Sequence, residues 1–270
     1  MGFAGLLLFL ALTPDQAATR EFTLSNGMRW IVAPAASAPP GETALLLYID
    51  AGIAQETPGS TGVVSTLAAL WRRGAADLEK AGARRPQVLA NADRIVFRSA
   101  WPNAARETWF RQSARLLAAP PLDGFLEARA AVIAEAAKQR LGGGSMLDQF
   151  LAIAFLSHPY RIAQFGLPGE LERLTLEDAA AFTRRYFVAS NAIGVASGDV
   201  DIDSIRTLAE RHFGSLPAVG KPAPLRESEP AQEAERRMVV HGGARPACCG
   251  PFISPPSGPR MRPCMTSCDR

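Results

Sequence analysis

GVVSTLAALWRRGA, residues 62–75, is the stretch from which the rest of the chain is best interpreted. Its apolar residues recur at helical spacing between two glycines, so the sequence predicts one buried helix with clear ends. Upstream, TALLLYIDAG (Thr43–Gly52) predicts a buried strand, and QETPGSTG predicts the loop that leads into the helix. A strand, a glycine-rich approach and a buried helix therefore follow one another directly.

This order, closed by Arg-Arg-Gly-Ala, resembles the start of the pitrilysin/insulinase/mitochondrial-processing-peptidase family, the inverzincins. The corresponding helix of that family carries an H-x-x-E-H zinc motif. Aligned on the two glycines, the first histidine falls on Ser65, the glutamate on Ala68 and the second histidine on Ala69. Alanine has no lone pairs, and a serine hydroxyl is a poor zinc ligand. The helix therefore has the frame of the family's catalytic helix without its ligands or its base.

A second helix, predicted over Leu122–Leu141, resembles the one on which the family places its third zinc ligand. The sequence Val132-Ile133-Ala134-Glu135 matches the family's context, so Glu135 occupies the third-ligand position. The other reading of Glu135 is a solvated charge on the surface of an alanine-rich helix. A single carboxylate does not hold zinc. The resemblance thus implies no metal and no other cofactor in this chain, although active relatives carry zinc.

Three further stretches carry the resemblance, which spans Phe22–Pro217. LSNGMRWIV resembles the family's opening hairpin, and its Asn26-Gly27 pair is expected to supply the positive φ angles of a tight turn. SMLDQFLAIAFLSHPY is expected to form a buried helix that runs into His158, for which we expect a capping or packing role. LTLEDAAAFTRRYFVASNAIGVASGDVD predicts a closing helix with a cap at Thr175, followed by a strand.

The elements together predict an α+β fold with a mainly antiparallel sheet and helices packed on one face. The predicted strands are Phe22–Ala33, Thr43–Ala51, the Gln87–Trp101 region and Asn191–Gly198. The resemblance supplies the topology, that of the metallohydrolase-like domain of the processing-peptidase family.

The chain divides into four predicted parts. We interpret residues 1–19 as a signal peptide, since the apolar run Phe3–Leu12 is too short to span a bilayer, which implies a periplasmic or exported protein. A basic residue before this run is missing, so a buried N-terminal segment is the alternative. Residues 20–218 form the peptidase-family N-terminal domain, and 219–241 form a linker and the start of a second domain, the rest of which we interpret as lost. Residues 242–270 are interpreted as an aberrant or disordered tail, of the kind that a frameshift produces.

The tail differs from the rest of the chain in charge and in cysteine content. Without residues 243–270, the chain has twenty-five basic and twenty-five acidic residues, so nothing indicates a nucleic-acid partner. All four cysteines, Cys248, Cys249, Cys264 and Cys268, lie in the tail. The four cysteines have two possible interpretations. One is a zinc knuckle or a disulfide pair, and the other is an artefact of composition. The adjacent pair does not fit a normal ligand spacing.

The resemblance implies a catalytically inactive homologue of zinc metalloendopeptidases. Such a chain would act as the non-catalytic partner of an active homologous peptidase subunit, in a heterodimer that encloses an unfolded peptide. Two alternatives stay open, an active zinc metalloendopeptidase with unrecognised ligands and a non-functional truncated fragment. The three histidines, His158, His212 and His241, form no H-x-x-x-H or H-x-x-E-H pattern, which disfavours activity.

Overall fold

The computed structural model describes residues 19–141, 145–224, 229–234 and 236. Its strands are β1 (Arg20–Thr23), β2 (Arg29–Pro34), β3 (Glu42–Ile49), β4 (Arg84–Ala90), β5 (Ile95–Pro102) and β6 (Ala192–Gly198). Its helices are α1 (Val63–Arg73), α2 (Ala75–Lys80), α3 (Arg106–Ala118), α4 (Phe125–Leu141), α5 (Met146–Ala154), α6 (Pro168–Arg173), α7 (Leu176–Tyr186) and α8 (Ile202–Phe213). Short 3₁₀ turns occupy Ile53–Gln55, Pro159–Arg161 and Ala189–Asn191. The predicted signal peptide up to residue 18, the glycine run 142–144 and the predicted tail with its cysteines lie outside the described residues.

The six strands form one sheet in the order β1-β2-β6-β3-β5-β4. Every neighbouring pair is antiparallel except β2 and β6, which run parallel. The predicted α+β fold with a mainly antiparallel sheet is therefore confirmed. Strand β6 comes last in the sequence but lies between β2 and β3, near the middle of the sheet.

Residues alternate along the strands between a buried face and a partly exposed one. In β3, residues Thr43, Leu45, Leu47 and Ile49 are buried, and the residues between them are not. The buried face contacts the helices through aromatic rings: Trp30 of β2 stacks on Phe110 of α3, with ring centroids 5.2 Å apart. Gly194 makes room for this indole, since a Cβ there would lie 2.5 Å from it. Helices thus pack on one face of the sheet, as predicted.

The hairpin between β1 and β2 is confirmed, but its turn differs from the expected one. Gly27 has a φ of +87°, whereas Asn26 does not adopt a positive φ. The Asn26 side chain is instead buried, donates to the Phe213 carbonyl over 2.7 Å and accepts from the Met28 amide over 3.2 Å. The Asn26 side chain therefore acts through its hydrogen bonds, which join the hairpin to the end of α8.

The expectation of a buried helix before His158 is wrong. None of the residues of α5 is buried, and Leu147 is 61% exposed. The helix packs mainly against the Pro159–Arg161 turn that follows it. Its apolar residues therefore cover a peripheral loop, which buries each of them only in part. In the described part of the chain, no helix is long and apolar enough to cross a membrane.

Candidate functional site

Helix α1 holds the three positions that align with the zinc motif, and it lies at the centre of the helical layer. It contacts α4, α7 and strand β4. Leu67 is fully buried, and Trp71 packs against Phe97 and Phe187 with ring centroids 5.3 and 5.1 Å away. Gly62 caps the helix with a φ of +94°, and a Cβ there would lie 2.7 Å from the Phe165 carbonyl oxygen. The loop that contains Phe165 is therefore pressed against the start of α1.

The three motif positions are filled by small side chains in close contact with their surroundings. Ser65 is buried, and its hydroxyl donates to the Gln164 carbonyl over 2.5 Å. A histidine ring in the same rotamer would overlap this carbonyl. Ala68 is fully buried within the core, and Ala69 packs against the core while partly exposed. The positions of the zinc motif are thus filled by packed side chains, and they also lack the metal ligands.

The third-ligand position is on the outer side of α4. The buried residues of that helix are Phe125, Ala128, Val132 and Ala136, whereas Glu135 is exposed. Among residues 19–141, 145–224, 229–234 and 236, no three His, Cys, Asp or Glu side chains form a group that could hold a metal ion. The donor set of the described chain therefore does not fit the zinc ion of active relatives.

A buried carboxylate that the sequence did not single out holds the start of α1. Glu56 is 6% exposed, and its two oxygens accept from the backbone amides of Gly62 and Val64, both over 2.8 Å. These amides belong to the free N–H groups of a helix start. Burial raises the pKa of Glu56 to about 8, although the two amide hydrogen bonds act in the opposite direction. An acidic residue just before a predicted helix was the available signal.

A second carboxylate links the loop before α6, which contains Gln164 and Phe165, to the start of α1. We call this loop the covering loop. Glu170 of α6 accepts from the Thr61 hydroxyl over 2.7 Å and from the Thr61 amide over 3.1 Å. The hydrogen bond from the Thr61 hydroxyl is the main reason that the pKa of Glu170 is lowered. The Thr61 hydroxyl oxygen in turn accepts from the Leu167 amide over 2.9 Å. Thr61, just before α1, is therefore hydrogen-bonded to the end of the covering loop and to α6, close to the contact between Ser65 and Gln164.

The same loop is held at its far end by His158 and Tyr160. The predicted capping role of His158 is confirmed, because its Nδ1 accepts from the Tyr160 amide over 3.2 Å. The Tyr160 hydroxyl donates to Asp93 in the turn between β4 and β5, and this hydrogen bond is the main reason that the pKa of Tyr160 rises to about 12. The other described histidine, His212, pairs with Glu107 over 3.0 Å. Each described histidine thus has a structural partner.

A segment from beyond α8 adds one more anchor. The Glu229 carboxylate accepts from the backbone amides of Leu156, Ser157 and His158 over 2.7, 3.0 and 3.0 Å. Burial acts to raise the pKa of Glu229, but these three amides outweigh it and lower the pKa to about 2. Arg236 donates to two carbonyls at the end of α5. The segment is therefore fixed to the covering loop by charge-assisted hydrogen bonds.

Comparison with known proteins gives the family to which the chain is similar. A family model described as the peptidase M16 inactive domain matches residues 173–258, from the end of α6 through α8 and beyond the described residues. The match includes residues 242–258, which lie in the stretch interpreted as an aberrant or disordered tail. That interpretation of the tail stays a prediction.

The proteins similar to the chain include two curated proteins and the solved structure of a periplasmic protease. The zinc protease PqqE of Helicobacter pylori (strain ATCC 700392 / 26695) is 32% identical over 125 residues, which are 44% of this chain and 28% of that protein. The mitochondrial-processing peptidase subunit beta of Lentinula edodes is 30% identical over 80 residues, 30% of this chain and 17% of that protein. The first half of the periplasmic protease PqqL from Escherichia coli has the same fold, with a TM-score of 0.69 and 18% identity over 81% of this chain and 50% of that one. The matched region therefore spans at most half of each relative's length.

Proposed function

Because the chain is a homologue of the M16 peptidases, we propose that it is a non-catalytic member of that family, which binds peptide as the partner of an active homologous subunit. The observation that carries this proposal is the contact between Ser65 and Gln164. A covering loop occupies the place where an active relative needs a metal ligand, and the loop is tied down on both sides of that contact. A chain under selection for hydrolysis would have to keep this place open.

The chemistry of the family explains why these positions matter. Two imidazoles one helical turn apart bind a single zinc ion, and the carboxylate between them accepts a proton from the metal-bound water. Ser65, Ala68 and Ala69 supply neither the two nitrogens nor the carboxylate. Restoring the base alone would place a charge at Ala68, which is fully buried. What remains is a rigid α1 beside a sheet whose second face is partly exposed.

The name of one relative supports the partner role. The processing peptidase relative is named as a subunit, and the chain spans a fraction of its length. We therefore propose a heterodimer in which an active homologous subunit supplies the zinc site and this chain contributes binding surface for an unfolded peptide.

We also propose that the protein is exported to the periplasm. The Escherichia coli relative is named a periplasmic protease, and residues 1–19 have the apolar run of a signal peptide. N-terminal sequencing of the protein from fractionated cells tests this, with removal near Ala18 as the expected result. An intact N-terminus on cytosolic protein would contradict export.

Purified full-length chain, alone and with an active homologue from the same organism, tests the proposed function. The chain alone should contain no stoichiometric zinc and should not hydrolyse fluorogenic peptides. Co-expressed with the active subunit, it should co-purify and raise the rate of peptide hydrolysis. The matched control is the same pair with the active subunit's motif glutamate replaced by glutamine, which should co-purify without hydrolysis. Near-stoichiometric zinc and hydrolysis by the chain alone would overturn inactivity, and failure to co-purify would overturn the partner role.

A further inference from the structure

The chain after α8 contacts parts of the domain that are distant from it in sequence. We call residues 214–236 the strap; the structure describes 214–224, 229–234 and 236 of it. Lys221 pairs with Asp50, the residue that follows β3, over 2.7 Å. Beyond this ion pair, Glu229 and Arg236 contact the start of the covering loop and the end of α5. The strap therefore joins the end of α8 to the loop that covers α1.

A single carboxylate of the strap holds the first residues of the covering loop, which runs from residue 155 to residue 167 between α5 and α6. Glu229 accepts from the amides of three consecutive residues, Leu156, Ser157 and His158. Amides that converge on one carboxylate fix the backbone between them, and hydrogen bonds to an ionised acceptor are stronger than neutral ones. Glu229 therefore holds the loop at the point where it leaves α5.

An arginine of the strap binds the adjoining end of α5. Arg236 donates to the carbonyls of Ile153 and Ala154 over 2.9 and 2.8 Å. The last carbonyls of a helix have no partner within the helix, and a cation beside them is favourable. The side chains of Arg236 and Glu229 are each 22% exposed, so dissolved ions screen these contacts less than they screen a fully exposed pair. The strap thus binds amides of the loop and carbonyls of the helix at one junction.

This junction has little apolar packing of its own. None of the residues of α5 is buried, and Leu147 and Leu156 are 61% and 52% exposed. A region with few buried apolar contacts opens at a low cost in free energy. The closed position of the loop at this end therefore depends on hydrogen bonds, namely those of the strap and the one from Tyr160 to Asp93.

The other end of the covering loop contacts the start of α1 through its backbone. A Cβ on Gly166 would lie 2.4 Å from the Gly62 amide nitrogen, so no side chain separates the loop from the helix start. Next to this contact, the Leu167 amide donates to the Thr61 hydroxyl. Backbone contacts this close are lost when the loop shifts outward, because no side chain bridges the gap that opens. The loop is therefore either closed on α1 or parted from it.

We propose that the strap is a conformational lock on the covering loop: Glu229 and Arg236 keep the loop closed over the motif positions of α1, and release of the strap opens it. The proposal goes beyond the proposed function, since it concerns access to α1 and not what binds there. A partner that binds the released strap better than the bound strap shifts the loop towards the open state. The position of the chain beyond α8 thus controls a contact made by a helix near the start of the chain.

Hydrogen–deuterium exchange of the full-length protein, followed by mass spectrometry, tests the lock. Glu229→Gln keeps the size of the side chain but removes its charge and one acceptor, so the amides of residues 156–158 should exchange faster. A lock also requires faster exchange at the far end of the loop. The Leu167 amide should exchange about tenfold faster or more, which corresponds to the loss of hydrogen bonds to a charged group. Faster exchange at residues 156–158 with unchanged exchange at Leu167 would show that Glu229 orders only its own neighbours, and would overturn the proposal.

A change at the other end of the loop tests the same coupling in reverse. Thr61→Val removes the acceptor of the Leu167 amide, and because coupling between two sites is reciprocal, residues 156–158 should also exchange faster. Protection of residues 156–158 that is unchanged in this variant would contradict the lock. If Glu229→Gln does not fold, Arg236→Gln replaces it, with a smaller effect expected in the same direction at both ends.

The matched control is Glu233→Gln, since Glu233 is an exposed carboxylate on the same strap. It should leave exchange in the covering loop unchanged, and a rise equal to that of Glu229→Gln would overturn the role given to the Glu229 contacts. Slow exchange in the central strands β3 and β6 checks that every variant is folded. The measurement involves no peptide, so its outcome is independent of whether the proposed peptide binding is correct.

Discussion

The buried carboxylate that holds α1 predicts an unusual dependence of stability on pH. The pKa of Glu56 rises from the ordinary 4.5 to about 8 in the folded protein. A raised pKa means that the folded state binds this proton more tightly than the unfolded state does. Its contribution to stability is therefore complete below pH 4.5 and is lost as the pH rises towards 8. At 1.36 kcal/mol per pH unit, the loss is on the order of 5 kcal/mol as an upper value.

The substitution Glu56→Gln isolates this contribution because glutamine cannot ionise. Near pH 5 the wild-type Glu56 is protonated and, like glutamine, has one carbonyl oxygen as its good acceptor, so the two proteins should differ in stability by less than about 1 kcal/mol. Near pH 8, the wild-type protein carries a buried charge and the variant does not, so the variant should be the more stable of the two. The two stability profiles should therefore nearly coincide near pH 5 and separate as the pH rises towards 8.

Urea unfolding of the full-length protein, followed by tryptophan fluorescence from pH 5 to 8.5, measures both profiles. Trp30 and Trp101 are fully buried and report loss of the core. Other titrating groups are shared, so the difference between the two profiles belongs to Glu56. Parallel profiles would show that the two amide hydrogen bonds keep Glu56 ionised throughout, and would refute the reasoning from burial.

Four further changes around α1 test the packing directly. Leu67→Ala should cost about 2–5 kcal/mol in urea unfolding, because the side chain is fully buried. Ser65→Ala should cost only about 1 kcal/mol, the value of one hydrogen bond; an equal loss for both would indicate an unrecognised partner of the hydroxyl. The double change Ser65→His and Ala69→His should lower the melting temperature, because the histidine ring displaces a loop carbonyl. It should give no hydrolysis of a fluorogenic peptide, because the catalytic base is still missing. Turnover of the peptide would contradict this. Gly62→Ala should destabilise by about 1–3 kcal/mol, since its φ is +94°, and a variant as stable as the wild type would show that the loop can move away.

Local patterns in the sequence were sufficient for most elements of the fold. The alternation in Thr43–Ile49 and the helical spacing after Gly62 depend only on neighbouring residues, as does the cap at Thr175, where Asp178 completes the predicted capping box. The strand order was supplied by resemblance, since pairing between β2 and β6 joins residues far apart in the chain. Burial of α5 was mispredicted because an apolar run does not reveal whether a sheet or only a loop lies beneath it.

The candidate site could likewise be predicted from the sequence only in part. The missing ligands at Ser65, Ala68 and Ala69 could be predicted because an alignment needs only residue identity. The closure of the motif by Gln164 could not, because it depends on where a loop some hundred residues later comes to lie. The capping role of Glu56 was missed for a similar reason, since its loop brings it back to the helix start.

The place of β6 in the sheet has a consequence for how the protein is made. Strands β2 and β3 leave the ribosome early, yet each lacks its inner neighbour until residues 192–198 have been synthesised. Up to that point the nascent chain has unpaired strand edges on both sides of a gap, and contacts of such long range form slowly. The domain therefore cannot close gradually from its N-terminus. Under the export proposed above, this delay would keep the chain open for passage across a membrane until the last strand has followed.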